Sequence, residues 1–138
     1  MAVRLRMAVV RLFRRIERTR AGAALTPSET TVLSAVVRLG PLRLSDLARA
    51  EGMNPTMLSR IIRDLEDAGL VLRRADLADR RAALAEATPG GRRLHDKIRS
   101  ERSDALSAAI ALLSPDENLA LGAGLPVLEA LAERLRSG

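Results

Sequence analysis

The sequence predicts a mainly α-helical fold with one short strand-forming interruption, and three observations carry that prediction. Apolar residues recur at three- and four-residue spacing through most of the 138 residues, which lines them up along one face of each successive helix. Thr26-Pro27, Asn54-Pro55 and Ser114-Pro115 each place a capping side chain before a proline, a pairing that opens helices. Between Leu70 and Thr88 the helical spacing gives way to two short segments around the polar loop Asp76 to Arg81.

Taken in order, residues 3–20 read as a first helix, with Leu5, Val9, Leu12, Phe13 and Ile16 on one stripe and arginines on the other faces; Ala21-Gly22-Ala23 ends it. Phe13, the only aromatic residue, is expected in the core. Thr26 caps a second helix, Glu29 completes a capping box, and Val32, Leu33, Val36 and Val37 form the buried face up to Gly40-Pro41. Leu42-Arg43-Leu44 is short and extended. Ser45 is expected to cap a brief third helix carrying Leu47 and Ala48, which Gly52 breaks. Asn54 then caps a fourth helix with Leu58, Ile61, Ile62 and Leu65 on its apolar face, closed by Ala68-Gly69.

Leu70 to Arg74 is a plausible strand, but the alanine-rich run from Asp79 to Ala87 is helical by propensity, because alanine is a poor strand former. Thr88-Pro89-Gly90 opens a long helix to about Leu113. Ser114 caps the last one, whose stripe is Leu121, Leu125, Leu128, Leu131 and Leu135, and Pro126 is expected to kink it.

Composition narrows the function. The chain has no cysteine and a single histidine, His95, read as a polar residue on a helix surface. Thiolate chemistry, sulfur-ligated zinc and histidine metal clusters are therefore poorly supplied, and no glycine-rich cofactor loop or nucleophile–base pair is present. The reading is a protein that is not an enzyme, with no metal and no cofactor. No apolar run approaches the ~20 residues that span a bilayer, and Arg11, Arg14 and Arg15 interrupt any signal-like start, so a cytoplasmic location without membrane contact is expected. The net charge of +6 favours polyanionic partners. Seven arginines between Arg4 and Arg20, against Glu17 alone, account for all of that excess.

Function points to the fourth helix. At about 100° per residue, Thr56, Ser59, Arg60 and Arg63 fall within an arc of roughly 100°, opposite the apolar face. Two hydroxyls and two guanidinium groups on a wet helix face suit the DNA major groove, where arginine bonds guanine O6 and N7 and hydroxyls reach phosphate or base edges. The small helix before it, ending at Gly52, would complete a helix-turn-helix. The loop from Asp76, with Arg80 and Arg81, would be a wing over the minor groove.

As a set, these segments resemble the MarR family of transcriptional regulators. Ser45-Asp46-Leu47-Ala48, Asn54-Pro55-Thr56-Met57-Leu58-Ser59-Arg60-Ile61-Ile62 and Leu65-Glu66-Asp67-Ala68-Gly69-Leu70-Val71 are similar to its helix-turn-helix. Asp79-Arg80-Arg81, then Ala87-Thr88-Pro89-Gly90-Gly91-Arg92, are similar to its wing and the start of the helix beyond. The resemblance implies a winged helix-turn-helix in the order helix, helix, strand, helix, helix, strand, wing, strand, helix, helix, so that the stretch from Ala82 becomes a strand despite its propensity. It implies one subunit with residues 25–90 as the winged part and residues 1–24 and 91–138 as a helical dimerisation region.

Asn54, Pro55, Thr56, Ser59, Arg60 and Arg63 would read DNA from a recognition helix over 54–68, and Ser45 would touch phosphate. Arg80 and Arg81 would serve the wing, with Arg81 in the minor groove and Asp79 orienting a nearby arginine. The family usually carries larger residues at Ala85 and Ala87, which predicts a less rigid wing.

A leucine stripe on the terminal helix has little to pack on within one subunit, which independently favours a homodimer. Leu5, Val9, Leu12, Leu112, Leu121, Leu125 and Leu128 are its expected contacts, and two recognition helices about one DNA turn apart would need a pseudo-palindromic double-stranded operator. The expected activity is repression, relieved by a small-molecule effector; Arg15, Arg38 and Arg92 are candidates to meet an anionic one. The alternative is a helical protein-interaction or assembly module without specific DNA binding.

Overall fold

The computed structural model describes residues 1–136. Its elements are α1 (Ala2–Ile16), a 3-10 turn (Ala21–Ala24), α2 (Pro27–Leu39), β1 (Leu42–Arg43), α3 (Leu44–Ala50), α4 (Pro55–Asp67), β2 (Val71–Ala75), β3 (Ala83–Ala87), α5 (Pro89–Ile110) and α6 (Pro115–Arg136). The chain divides into two compact units, Met1–Arg102 and the residues from Ser103 onward, with the boundary inside α5.

In the first unit the core gathers Val32, Leu33, Ala35 and Val36 of α2, Leu47 and Ala48 of α3, and Leu58, Ile61, Ile62 and Leu65 of α4. Val71, Ala85 and Ala87 join it from the strands. All but Ala35 of the helical set sit where periodicity placed them, since apolar residues three and four apart share a face. Of the expected α2 face, Val37 is only partly buried.

The strands form an antiparallel sheet in the order β1-β3-β2, with Ala85 paired to Leu42 on one side and to Arg73 on the other. The alanine-rich run is thus a strand, as the family pattern implied and propensity did not. Its position supplies the reason: β3 is the central strand and α2 packs against it. A small side chain at Ala85, fully buried, lets helix and sheet approach closely.

Several boundaries moved. α1 ends at Ile16 rather than near Arg20. Side chains satisfy the backbone beyond it: Gly22 N–H donates to Thr19 Oγ1 (2.9 Å) and Ala21 N–H to a Glu101 carboxylate oxygen (2.9 Å). Such bonds offer the chain an alternative to further helix. Ser45 does not cap α3; Arg43 holds the cap position and Ser45 is the second residue of the helix. β1 leads straight into α3, which leaves no room for a later start. The other expected caps are present. Thr26 Oγ1 accepts Glu29 N–H (3.2 Å), Asn54 Oδ1 accepts Thr56 N–H (2.8 Å) and Thr88 Oγ1 accepts Gly91 N–H (3.0 Å).

In the second unit, Ser114 and Glu117 make a reciprocal capping box: Glu117 N–H donates to Ser114 Oγ (3.2 Å) and Ser114 N–H to Glu117 (2.9 Å). α6 stays helical through Gly122, Gly124 and Pro126.

Candidate nucleic-acid interface

One side of α4 is core and the other is open. Leu58, Ile61, Ile62 and Leu65 are buried, while Pro55, Thr56, Ser59, Arg60 and Arg63 together line one open groove. Arg60 and Arg63 are exposed, and neither has an acidic partner within salt-bridge distance among the described residues. Ser59 is half-buried, with its backbone carbonyl accepting from an Arg73 Nη2 (3.1 Å). Asn54 is exposed, and its side-chain oxygen is spent on the helix cap.

α4 is held in place from two directions. At its start, Gly52 (φ +60°) turns the chain out of α3, a conformation that favours glycine, and Met53 N–H donates to the Ala48 carbonyl (2.9 Å). At its end, Glu66 accepts both the Arg73 backbone N–H (3.1 Å) and, in an ion pair, Arg73 Nε (3.1 Å). Because the same guanidinium also reaches the Ser59 carbonyl, one side chain on β2 spans two turns of α4. This brace was not legible beforehand: Arg73 reads as an ordinary solvated strand arginine. Ser45 is exposed near the start of α3.

The wing is residues 76–82, between β2 and β3. Asp76 N–H donates to the Ala82 carbonyl (3.3 Å) at its base, and Ala82 N–H to the Asp79 carbonyl (3.0 Å) nearer its tip. Asp79 Oδ1 accepts the backbone N–H of Arg81 (3.0 Å), so its carboxylate fixes the loop at Arg81 through the main chain. The carboxylate that pairs with a guanidinium is Asp76, whose Oδ2 lies 2.8 Å from Arg43 Nε while Oδ1 accepts Ala78 N–H (2.9 Å). The Ala78 N–H, then the hydrogen bond and charge of Arg43, outweigh partial burial and hold the Asp76 carboxyl below its usual range. Arg80 and Arg81 are exposed and free of carboxylate partners among the described residues. Arg74, by contrast, is taken by Glu86 across the strands (2.7 Å).

The apolar stripes of α1 and α6 are largely exposed. Neither helix has a buried residue among those described. Leu5, Val9 and Leu12 are exposed on α1, and so are Leu121, Leu125 and Leu128 on α6; Leu112, in the turn after α5, is 88% exposed. Phe13, expected in the core, is 61% exposed, on the same outward side of α1 as Leu5, Val9 and Leu12, while Ile16 at its end is half-buried.

His95 also departs from expectation. Its side chain is only 15% exposed, and its buried Nδ1 makes no hydrogen bond. Arg15, Arg38 and Arg92, the candidates to meet an anionic effector, are exposed. Among the described residues no group of three His, Cys, Asp or Glu could hold a metal ion, and no helix is long and apolar enough to cross a membrane.

Comparison with known proteins agrees with this geometry. The MarR family model matches residues 25–83, from the start of α2 to the far side of the wing. The chain is 27% identical over 105 residues to the uncharacterised HTH-type transcriptional regulator YfiV of Bacillus subtilis, covering 76% of this chain and 66% of that protein. A crystal structure of a proposed transcriptional regulator from Pseudomonas aeruginosa PA01 is 35% identical and superposes with a TM-score of 0.81, covering 95% of this chain and 92% of that one. A point mutant of Staphylococcus aureus MepR, solved bound to an oligodeoxyribonucleotide, shares the fold at 22% identity with a TM-score of 0.74, covering 94% of this chain and 96% of that one. With its six helices, three-stranded antiparallel sheet and wing, and its likeness to the Pseudomonas protein over nearly the full length of both, the chain belongs to the MarR family of transcriptional regulators.

Proposed function

We propose that the protein is a homodimeric repressor that binds a pseudo-palindromic double-stranded operator, α4 of each subunit lying in the major groove and each wing over the adjacent minor groove. The single observation that carries this reading is the unpaired arginine face of α4. Arg60 and Arg63 stand exposed beside Thr56 and Ser59 without an acidic partner among the described residues, although carboxylates elsewhere on the fold occupy Arg43, Arg73 and Arg74. Arginine left unpaired on one helix face is available to bond guanine edges and phosphates. The MepR mutant, which shares this fold, is bound to an oligodeoxyribonucleotide, and this supports DNA as the partner.

In this reading Arg60 and Arg63, with Thr56 and Ser59, contact bases or phosphates, Asn54 and Pro55 bring the start of α4 to the groove, and Ser45 meets phosphate. Arg80 and Arg81 serve the minor groove, with Asp79 setting the loop at Arg81. The exposed leucines of α1 and α6, with Leu112, pair two subunits. Release by a small-molecule effector requires that the ligand bind more tightly to a dimer whose two α4 helices are wrongly spaced for DNA.

The test is affinity selection of genomic fragments by the full chain, followed by fluorescence anisotropy on the selected duplex and on scrambled versions. Arg60→Ala should cost about 1–3 kcal/mol on the selected duplex and relax the preference at one base pair per half-site. Equal affinity of the unaltered chain for selected and scrambled duplexes would overturn sequence-specific regulation.

A further inference from the structure

The arginines around the proposed interface fall into two sets, with one residue between them. Arg73 and Arg74 end on carboxylates of their own fold, and Arg60, Arg63, Arg80 and Arg81 have none among the described residues. Arg43 also ends on a carboxylate, but through Nε alone, whereas Arg74 is held by Nη1 and Arg73 spends Nη2 on the Ser59 carbonyl. Arg43 Nε is fixed on Asp76 at 2.8 Å, yet the Arg43 side chain keeps 42% of its surface while Asp76 keeps 12%. A guanidinium held by Nε still has both Nη groups available to donate.

Arg43 also lines one open groove together with Ser45, at the start of α3, and with Asp79 and Arg81 of the wing. That groove joins the two parts of the surface already assigned to DNA. We infer that Arg43 is a backbone-phosphate contact of the bound duplex and that Asp76 is its positioning residue. The inference rests on the DNA-binding reading given above and adds to it a side chain that ties the helix-turn-helix to the wing.

The occupant is a phosphodiester of double-stranded DNA rather than a free anion. Asp76 neutralises Arg43 from behind, and the Asp79 carboxylate lies on the same groove, so its fixed charges do not sum to an anion trap. What the groove offers instead is a directed donor. Nε on Asp76 removes freedom from a long side chain before DNA arrives, so less is lost on ordering it at the interface. A phosphate contact of this kind positions the protein without reading sequence, and it releases counterions when it forms.

The experiment compares the unaltered chain with Arg43→Gln and with the double variant Arg43→Gln/Asp76→Asn. The double variant removes both charges, keeps the net charge unchanged and leaves no unpaired carboxylate at the wing, so it guards against a folding failure of the single one. Affinity for the selected duplex is measured by anisotropy between about 50 and 200 mM salt, with thermal melting as the check on folding. Both variants should lose about tenfold in affinity, to a similar extent on selected and scrambled duplexes. The plot of log K against log salt should become shallower by about 0.9 for each subunit on the DNA. Arg43→Lys should keep the slope, since an ammonium still neutralises a phosphate. A folded double variant with the unaltered slope would overturn Arg43 as a phosphate contact while leaving the DNA reading standing. An unaltered chain that binds no duplex at all would overturn both.

Discussion

Asp76 is the one charged residue buried among those described, and it organises the wing with both carboxylate oxygens. Its folded-state pKa lies below the ordinary 3.8 because Ala78 N–H and Arg43 favour the charged form. Stability from a depressed carboxyl is complete above the unfolded value and is lost as pH falls through the folded one. The wing should therefore be unchanged from neutral pH down to about the ordinary carboxylate range, and loosen only below it. Amide chemical shifts of Ala78 and Ala82 followed through an acid titration will show this, with a midpoint under 3.8 that vanishes in Asp76→Asn. A midpoint at or above that value would refute the stabilisation of the Asp76 carboxylate by the Ala78 N–H and Arg43. At this scale the sequence was half legible. Helical spacing alone put Arg60 and Arg63 on the wet face of α4, but Arg43 and Asp76 are 33 positions apart and meet only because β1 and the wing converge on β3. The orienting role of Asp79 came from the family resemblance alone, and its carboxylate accepts the backbone N–H of Arg81.

Elements were legible where local signals and packing agreed. Every proline-marked helix start proved real, since a capping oxygen and a fixed φ act within one turn. β3 was not legible from propensity. Its alanines are selected by the closeness of α2, a tertiary demand that outweighs a preference of less than about 1 kcal/mol per residue. The joint between the end of α4 and the start of α5 is packed as tightly. Thr88 Oγ1 donates to the Gly69 carbonyl (2.6 Å), Thr88 N–H to the Leu70 carbonyl (3.1 Å), and a Cβ on Gly91 would run into the backbone carbonyl of Leu70. Backbone cannot rotate aside as a side chain can. Gly91→Ala should thus lower the unfolding free energy by about 1–3 kcal/mol in urea titrations, by forcing α5 away from the α4–β2 turn. Gly52 provides the contrast. A Cβ there meets open space, so Gly52→Ala should cost only the positive-φ penalty of about 1–2 kcal/mol and leave the packing undisturbed. A Gly91→Ala protein as stable as the parent would show that the joint is looser than this geometry.

For the whole molecule, the charge and the apolar stripes impose opposite demands on α1. Its arginines require water or a polyanion, while Leu5, Val9, Leu12 and Phe13 are exposed on a helix with no fully buried residue. α6 repeats the pattern with Leu121, Leu125 and Leu128. Water is a poor setting for both stripes, and the proposed pairing of two chains through them would remove apolar surface at roughly 25 cal/mol per Å². Folding of these helices should then be linked to association, so the melting temperature of the full chain should rise with protein concentration. Leu125→Glu places a charge in the proposed contact and should yield monomers in sedimentation equilibrium. Those monomers would engage one half-site at a time, and losing the tethered second contact should weaken operator binding by about 10²–10⁴-fold. Half-site affinity, read on a duplex with one arm scrambled, should stay close to that of the parent because α4 and the wing lie outside the altered helix. A Leu125→Glu protein that still sediments as a dimer would move the subunit contact away from α6, and a melting temperature indifferent to concentration would remove the dimer from the account altogether.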